Sequence, residues 1–586
     1  MTLREAAATE NRAVVNAPGE GASLRRLWHI WTAVIALGFI AYLFHGYDSD
    51  ELQHLHIAWR IGQGELPYRD FFEHHPPLFP AILAPIFRSF TEADFATLLL
   101  SRGIALGISL LCIRMLYLLL RRFTSPMAAC LGVGAMISLP VFGRSAMELR
   151  PDVPGLLSIL GATLILAQNM QPGKMTGARQ AFFAGTLFGT AFCFTQKALI
   201  PLIGVCFWMA ALCLFASAKS EERRHRIAAA LAFLSGAALV VGICALLFVA
   251  QGAGREFWEY VIAINLRWKR IAPGWHCMPE TLLLCFPLFV FALTTLLRML
   301  EQGRALLREA APESLLGALL ISGIVGQFTT PIPTWQSVFV FLVPWTVCLS
   351  AMQMARLASE QGSLRADRFR LLAASAMVLS AMTWVNTAIG VIAWNVIALI
   401  GWRFWRRAGS VQARIRCLMA MALTPGLIYR FGFSADQFYR REYIGQQRMV
   451  RYLTAYTAPQ EPVLHLWPVL LPFRPAATQH WFATLDTLNS LADIQMEAEY
   501  IVALESGKAR LIAVNPRHME RFLPGFARYL ETHCRQLSDA PSTRDRLIVY
   551  ECQSSLPPSP GRVSLISGIE PGIQSGAWNH GSIATY

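Results

Sequence analysis

Three carboxylates fall within four residues at Asp48-Ser49-Asp50-Glu51, just past a long hydrophobic run. Close behind follows Gly64-Glu65-Leu66-Pro67-Tyr68-Arg69-Asp70-Phe71-Phe72-Glu73-His74-His75-Pro76-Pro77-Leu78. Carboxylates are expensive in hydrocarbon, so a dense set beside a spanning helix marks a site that works at the lipid surface. One carboxylate tuned by a neighbour can take a proton from a hydroxyl acceptor. An Asp-x-Asp pair such as Asp48 and Asp50 can instead hold Mg²⁺ or Mn²⁺ against a phosphate. The spacing leaves base and metal ligand both open. His74 and His75 are adjacent on a short loop and lack the facing geometry of helical i, i+4 metal ligands. A capping box, with Asp48 or Ser49 at the N-cap and Glu51 reaching back, accounts for one or two of the acids but not all three.

The element that must position these acids is a helix beginning near residue 49, in which Leu52, Leu55 and Trp59 share one face. Asp50, Glu51 and His54 lie near one another on it through i, i+3 and i, i+4 spacings. The chain around it is 586 residues long, 54% hydrophobic and 15% charged, with mean hydropathy +0.42. That is too apolar for a soluble multidomain protein and describes a polytopic membrane protein. The net charge of +14 sits in short basic groups at the ends of apolar runs, where it sets membrane orientation. No basic and aromatic module stands clear of those runs, so nucleic acid is not an expected partner. Cys112, Cys130, Cys193, Cys206, Cys213 and Cys244 lie within apolar runs, as small hydrophobes do. Cys534 and Cys552 lie in the polar tail and can pair if that tail is exported.

Residues 1–26 read as a cytoplasmic tail ahead of a retained first helix, Leu27 to Phe44. Further apolar runs at 98–120, 127–141, 153–168, 181–194, 199–215, 227–250, 281–300, 315–328, 337–352, 371–387, 391–402 and 417–429 bring the total to about thirteen spans, within 27–432. Arg121-Arg122, Lys174 with Arg179, the basic group 219–226, Arg304 with Arg308, the group 365–370 and Arg403 with Arg406 and Arg407 all fall on one face. The positive-inside rule makes that face cytoplasmic. The first loop, 46–97, then lies outside with Glu148 to Asp152, residues 252–280 and the tail. Arg255, Arg267, Lys269 and Arg270 run against this bias. Either an anionic ligand holds them outside, or a longer loop translocates whatever its charge.

After residue 432 the pattern becomes that of a small α/β domain, 433–553. Helices are expected over 443–456, 486–504 and 519–532, and strands over 462–466, 511–514 and 547–550. Residues 554–586 are rich in Ser, Pro and Gly and read as disordered. The fold class is therefore mainly α, a polytopic helical bundle carrying a small C-terminal α/β domain.

The acidic group followed by Gly-x-x-Pro-Tyr-Arg-Asp-Phe-Phe-Glu-His-His-Pro-Pro-Leu resembles the bacterial branch of the protein O-mannosyltransferase and aminoarabinose transferase family, membrane glycosyltransferases of the GT-C type. The order of Glu148-Leu149-Arg150-Pro151-Asp152-Val153-Pro154 and of Phe194-Thr195-Gln196-Lys197-Ala198 agrees with it. The resemblance implies transfer of a sugar from a polyprenyl phosphate to an acceptor hydroxyl on a lipid, glycan or protein. Transfer would take place with inversion, at the periplasmic face of the bacterial inner membrane. It implies Asp50 as catalytic acid with Glu51 beside it and Asp48 competing. Glu148 and Asp152 would be a second acidic group facing the first, and Tyr68, Arg69, Asp70, Glu73, His74, His75 and Pro76 the loop motif. Lys197 resembles the lysine that approaches the donor phosphate. The family's usual His-Tyr is missing from Thr330 to Gln336, which leaves Trp335 and Gln336 without a matched role.

A departing phosphate gathers negative charge, so a fixed cation beside it stabilises the transition state more than the ground state. Lys197 and Arg150 are candidates, with Arg267 and Arg270 behind them. The competing reading for Arg150 is an ion pair with Glu148 or Asp152 that pins the loop, and for Lys197 an interfacial lysine reaching from a helix end. No cofactor beyond Mg²⁺ or Mn²⁺ is called for. A lipid or sugar transporter is the alternative from another class, and would place ionisable residues deep in the spans and break helices at the midplane. A surface-polysaccharide polymerase or ligase would differ in needing a pyrophosphate-linked donor.

Overall fold

The computed structural model describes residues 20–170, 175–216, 220–267, 278–329 and 340–359, most of 431–552, and scattered positions between 403 and 427. Helix α1 (Glu20–Phe44) leads into α2 (Ser49–Gly62), α3 (Leu78–Phe87) and α4 (Phe95–Phe123). Next come α5 (Pro126–Ser138), α6 (Pro140–Ser145), α7 (Asp152–Asn169), α8 (Ala178–Phe194), α9 (Leu199–Leu214) and α10 (Ser220–Ala250). Short helices α11 (Gly254–Phe257) and α12 (Ile264–Arg267) flank a π-helical turn, and α13 (Met278–Glu301), α14 (Gly303–Arg308), α15 (Pro312–Thr329) and α16 (Val343–Ser359) complete the described membrane part.

Among the described residues four helices are long and apolar enough to cross a bilayer: Gly21–Phe44, Phe95–Phe123, Gln196–Leu214 and Glu221–Ala250. The chain is a multi-pass membrane protein. The apolar runs read from the sequence up to 315–328 coincide with helices, and 337–352 overlaps α16. The runs 371–387 and 391–402 lie outside the described residues, 417–429 almost wholly so, and the tail 554–586 entirely. Helix α3 was not anticipated: its ten residues follow Pro76-Pro77 and fill the first loop with an apolar helix too short to span.

Local chemistry sets the helix ends. Asp94 caps α4 by accepting from the Thr97 amide at 2.9 Å, and Arg121-Arg122 close its last turn. Ser125 caps α5, with Pro126 at the first helical position. Helices α8 and α10 pack closely because a Cβ on Gly185 would lie 2.0 Å from the Phe233 carbonyl oxygen, and one on Gly236 2.2 Å from that of Phe182. Small residues at such crossings let two backbones meet where no hydrophobic drive joins helices in lipid.

In the C-terminal part α17 (Glu442–Tyr456), α18 (Met496–Glu505) and α19 (Pro524–His533) accompany an antiparallel sheet of order β1-β3-β2, formed by β1 (Leu511–Val514), β2 (Cys534–Gln536) and β3 (Ile548–Cys552). Strand β2 was not expected from the sequence. Cys534 and Cys552 are direct partners across β2 and β3 and form a disulfide. The strand expected over 462–466 is reduced to an isolated bridge between Val463 and Ala476, with 465–469 outside the described residues. This part rests on the first loop. The Phe72 amide donates to the Gln479 carbonyl at 3.1 Å, the Trp481 indole to the Phe72 carbonyl at 3.0 Å, and Tyr47 exchanges two hydrogen bonds with Gln446. Leu52, Leu55 and Trp59, the apolar face of α2, are buried in a cluster with Phe71, Phe79, Phe473 and Trp481.

Candidate active site

The acids begin as a helix start. Asp48 is the N-cap of α2, with Oδ1 accepting from the Asp50 amide at 3.0 Å, and Glu51 reaches back to accept from the Asp48 amide at 3.0 Å. The capping box thus takes Asp48 and Glu51 and leaves Asp50 over.

Arg150 gathers the acids from the other side. Its Nη2 donates to Asp48 Oδ1 at 2.7 Å, its Nη1 to Asp50 Oδ2 at 2.5 Å and its Nε to Glu148 Oε2 at 2.5 Å. Arg144 bridges Asp48 Oδ2 at 3.0 Å and Glu148 Oε1 at 2.8 Å. Glu148 therefore does face the first acidic group, through two guanidinium groups. Asp48 has both oxygens engaged. Burial alone would raise its pKa, but Arg150 and Arg144 outweigh it and hold the carboxyl at about 2. Asp50 differs: burial, then the negative charges of Asp48 and Glu148, raise its pKa above the ordinary value against the pull of Arg150. Its side chain is 39% exposed, and among the described residues Oδ1 has no protein donor. It is the acid with proton affinity and access.

Glu51 is fully buried and paired with Arg102, equally buried, at 2.9 Å. It also accepts from the Leu149 amide at 3.2 Å, tying α2 to the segment before α7. Arg102 spends further donors on the carbonyls of His45 and Gly46.

The loop motif is mostly scaffold. Tyr68 adopts φ 74°, a left-handed conformation costly for a bulky residue. Its ring is buried, its amide bonds the Phe71 carbonyl at 2.9 Å and its hydroxyl the His75 carbonyl at 2.8 Å. Asp70 accepts from the Leu66 amide at 2.7 Å and pairs with Arg69, which is exposed at the rim. Glu73 Oε1 collects the amides of His74 and His75 and the His75 Nδ1 at 2.8, 2.7 and 2.6 Å. Burial would raise the Glu73 pKa, but His75, His74 and the His75 amide outweigh it and lower it. Pro76 and Pro77 end the turn ahead of α3.

On the far side, Lys197 Nζ donates to Asp152 Oδ2 at 2.9 Å, and Thr195 donates to Asp152 Oδ1 at 3.2 Å. Gln196 Nε2 bonds Asn265 Oδ1 at 3.0 Å, and Asn265 Nδ2 donates to the His74 carbonyl at 2.9 Å. Helix α12 thereby joins the site through Asn265. Arg267 points elsewhere, 62% exposed and paired with Glu259. Arg270, Lys269, Trp335 and Gln336 lie outside the described residues.

For a metal, the space between Asp48 and Asp50 already holds the Arg150 guanidinium. The described residues with donor atoms grouped within 4.8 Å are Glu73, His74 and His75. Since Glu73 Oε1 already carries three N–H donors, that carboxylate serves first to hold the turn.

With the site in place, comparison with known proteins gives its setting. Residues 74–249 match the family described as dolichyl-phosphate-mannose-protein mannosyltransferase. The backbone resembles crystal structures of ArnT from Cupriavidus metallidurans. With the form bound to undecaprenyl phosphate the TM-score is 0.57 at 11% identity, over 92% of this chain and 99% of that one. With the apo form it is 0.56 at 13% identity, over 89% and 97%. The chain has the GT-C fold. The resemblance read from the first loop holds at that level. No curated protein sequence matches the chain.

Within this GT-C frame, the matched segment contains His74, Glu148, Asp152 and Lys197, while Asp48 and Asp50 precede it. Sequence reasoning passed over Arg102, Arg144 and Asn265. The signal for Arg102 was present: an arginine inside the apolar run 98–120, which it shares with Arg114, needs a buried partner or a route to the surface. Arg144 stands in no periodic pattern, and Asn265 is drawn in by tertiary packing alone.

Proposed function

We propose that this chain is an inverting glycosyltransferase of the GT-C type, moving one sugar from a polyprenyl-phosphate donor to an acceptor hydroxyl at the periplasmic face of the inner membrane. The N-terminus would be cytoplasmic, and the first loop, 46–97, and the domain 433–553 would both be periplasmic. The observation that carries this reading is the inequality of the acids: Asp48 and Glu51 are spent on structure, and Asp50 keeps an open oxygen and a raised pKa. A carboxylate in that state can accept the proton of the acceptor hydroxyl as its oxygen attacks the anomeric carbon. Lys197, with one of its donors on Asp152, can place others on the leaving phosphate. Undecaprenyl phosphate is the lipid seen in the ArnT structure, and it is the carrier proposed here.

The test is Asp50→Asn in purified full-length protein, following label from undecaprenyl-phosphate sugars to lipid or glycan acceptors. Removing a general base is expected to slow transfer by about 10²–10⁴-fold, with donor binding retained. Unchanged turnover would remove Asp50 from the mechanism, and movement of lipid without transfer would favour a transporter.

A further inference from the structure

His54 lies one turn beyond Asp50 on α2, and neither the capping box nor the Arg150 clamp uses it. It is 2% exposed, and its Nδ1 is buried without a hydrogen-bond partner. Its ring stands edge-on to His75 at 5.2 Å and to Phe79 at 5.6 Å. An orphaned buried polar atom costs about 1–3 kcal/mol, a cost that a bound water or a hydroxyl group of a ligand offsets. Burial first, then the electrostatic effect of His75, Arg150 and Lys197, pushes the His54 pKa well below the usual imidazole value. The ring is therefore neutral at physiological pH. A neutral ring between cations is wrong for holding a phosphate and right for a hydroxyl, which can both donate and accept.

We propose that His54 contacts the transferred sugar, its Nδ1 hydrogen-bonding one of the sugar's hydroxyl groups. This rests on the glycosyltransferase reading above. If Asp50 meets the acceptor hydroxyl and Lys197 the donor phosphate, the anomeric carbon lies between them. The sugar ring attached to that carbon then comes against the next group on the Asp50 face of α2. His54 is that group, close enough to feel the charges of both Arg150 and Lys197. It would make His54 a determinant of which sugar is accepted, since a site built to bond a hydroxyl rejects analogues that lack it.

The test uses full-length protein in nanodiscs, with His54→Phe and His54→Asn. The probes are undecaprenyl phosphate and a panel of undecaprenyl-phosphate hexoses and pentoses. Phe keeps the packing against Phe79 and removes the polar atom; Asn can place an amide nitrogen where Nδ1 stands. His54→Phe is expected to bind undecaprenyl phosphate like wild type, while losing the added affinity the sugar confers and raising the donor KM about tenfold. His54→Asn is expected to recover most of that loss. Equal loss for the bare lipid and the glycoside would overturn the proposal, as would no loss for either. If His54→Phe does not fold, His54→Leu takes its place, and a His54→Leu protein that keeps the wild-type gain in affinity from the sugar overturns it too. A wild-type protein that binds neither lipid refutes the parent reading, and this inference with it.

Discussion

Glu51→Gln separates structure from chemistry at two adjacent acids. The Glu51 carboxylate is fully buried and meets four donors: the Asp48 amide at 3.0 Å, Arg102 Nη2 at 2.9 Å, the Leu149 amide at 3.2 Å and Arg102 Nε at 3.5 Å. Whichever way a glutamine is turned, its NH₂ faces two of them. Arg102, also fully buried, would lose its counter-charge. Breaking such a pair by removing one member costs about 3–5 kcal/mol, and the carbonyls of His45 and Gly46 that remain on Arg102 place the expected loss at the lower end. Asp50→Asn is the contrast: that side chain is 39% exposed, and Arg150 keeps Asp48 and Glu148, so the loss is about 1 kcal/mol or less.

Thermal unfolding and sugar transfer, measured on the same preparations in one detergent, should therefore dissociate. Glu51→Gln is expected to lower the unfolding midpoint by several degrees, with activity lost in step with folded protein. Asp50→Asn is expected to unfold near wild type and turn over little. A Glu51→Gln protein as stable as wild type yet inactive would refute this reasoning and move Glu51 into the chemistry.

Asp48 predicts acid sensitivity. Its folded pKa, about 2, lies below the ordinary 3.8, so its stabilisation is present above that ordinary value and lost as pH falls toward 2. Asp48→Asn should flatten the unfolding midpoint between pH 4 and 2 relative to wild type, and parallel curves would contradict the assignment. The disulfide closes a separation of 18 residues, and Cys534→Ser with Cys552→Ser is expected to destabilise the C-terminal part by about 3 kcal/mol. Limited proteolysis of that part should quicken, and an unchanged rate would contradict it.

The spans were legible because membrane helices announce themselves by length and apolarity, and Leu27–Phe44 or 98–120 needed no tertiary information. The helix carrying the acids was legible for a different reason: Leu52, Leu55 and Trp59 repeat at helical spacing and are all buried. Strand β2 was not legible, since its three residues hold place through pairing with β3 and the disulfide rather than through any pattern of their own. At the site, residue types showed that acids and cations would meet, but not how they would be shared. From the sequence Arg150 reads either as a phosphate ligand or as an ion-pair partner of Glu148 or Asp152, and the fold puts Glu148, Asp50 and Asp48 on its Nε, Nη1 and Nη2. Asp152, grouped in sequence with Glu148, parts from it because Asp152 opens α7 and faces Lys197.

That sharing decides which cation can serve a departing phosphate. Arg150 has five N–H donors and three of them lie on Asp48, Asp50 and Glu148, so a phosphate that reached the other two would sit among three carboxylates, and the repulsion would offset the gain. Lys197 is paired with one carboxylate, Asp152. An ammonium group has three donors, and one lies on Asp152 at 2.9 Å, so two remain while the lysine keeps its position. The Lys197 side chain is 16% exposed, open enough to be reached and dry enough for its charge to act at short range. Arg150 then acts by what it does to the acids. It fixes Asp48, Asp50 and Glu148 around one guanidinium, and the Asp50 pKa stays raised despite its pull because burial and the charges of Asp48 and Glu148 act the other way. On the proposed reading the two cations divide the reaction: Lys197 for the leaving group, and Arg150 for the arrangement that positions the base.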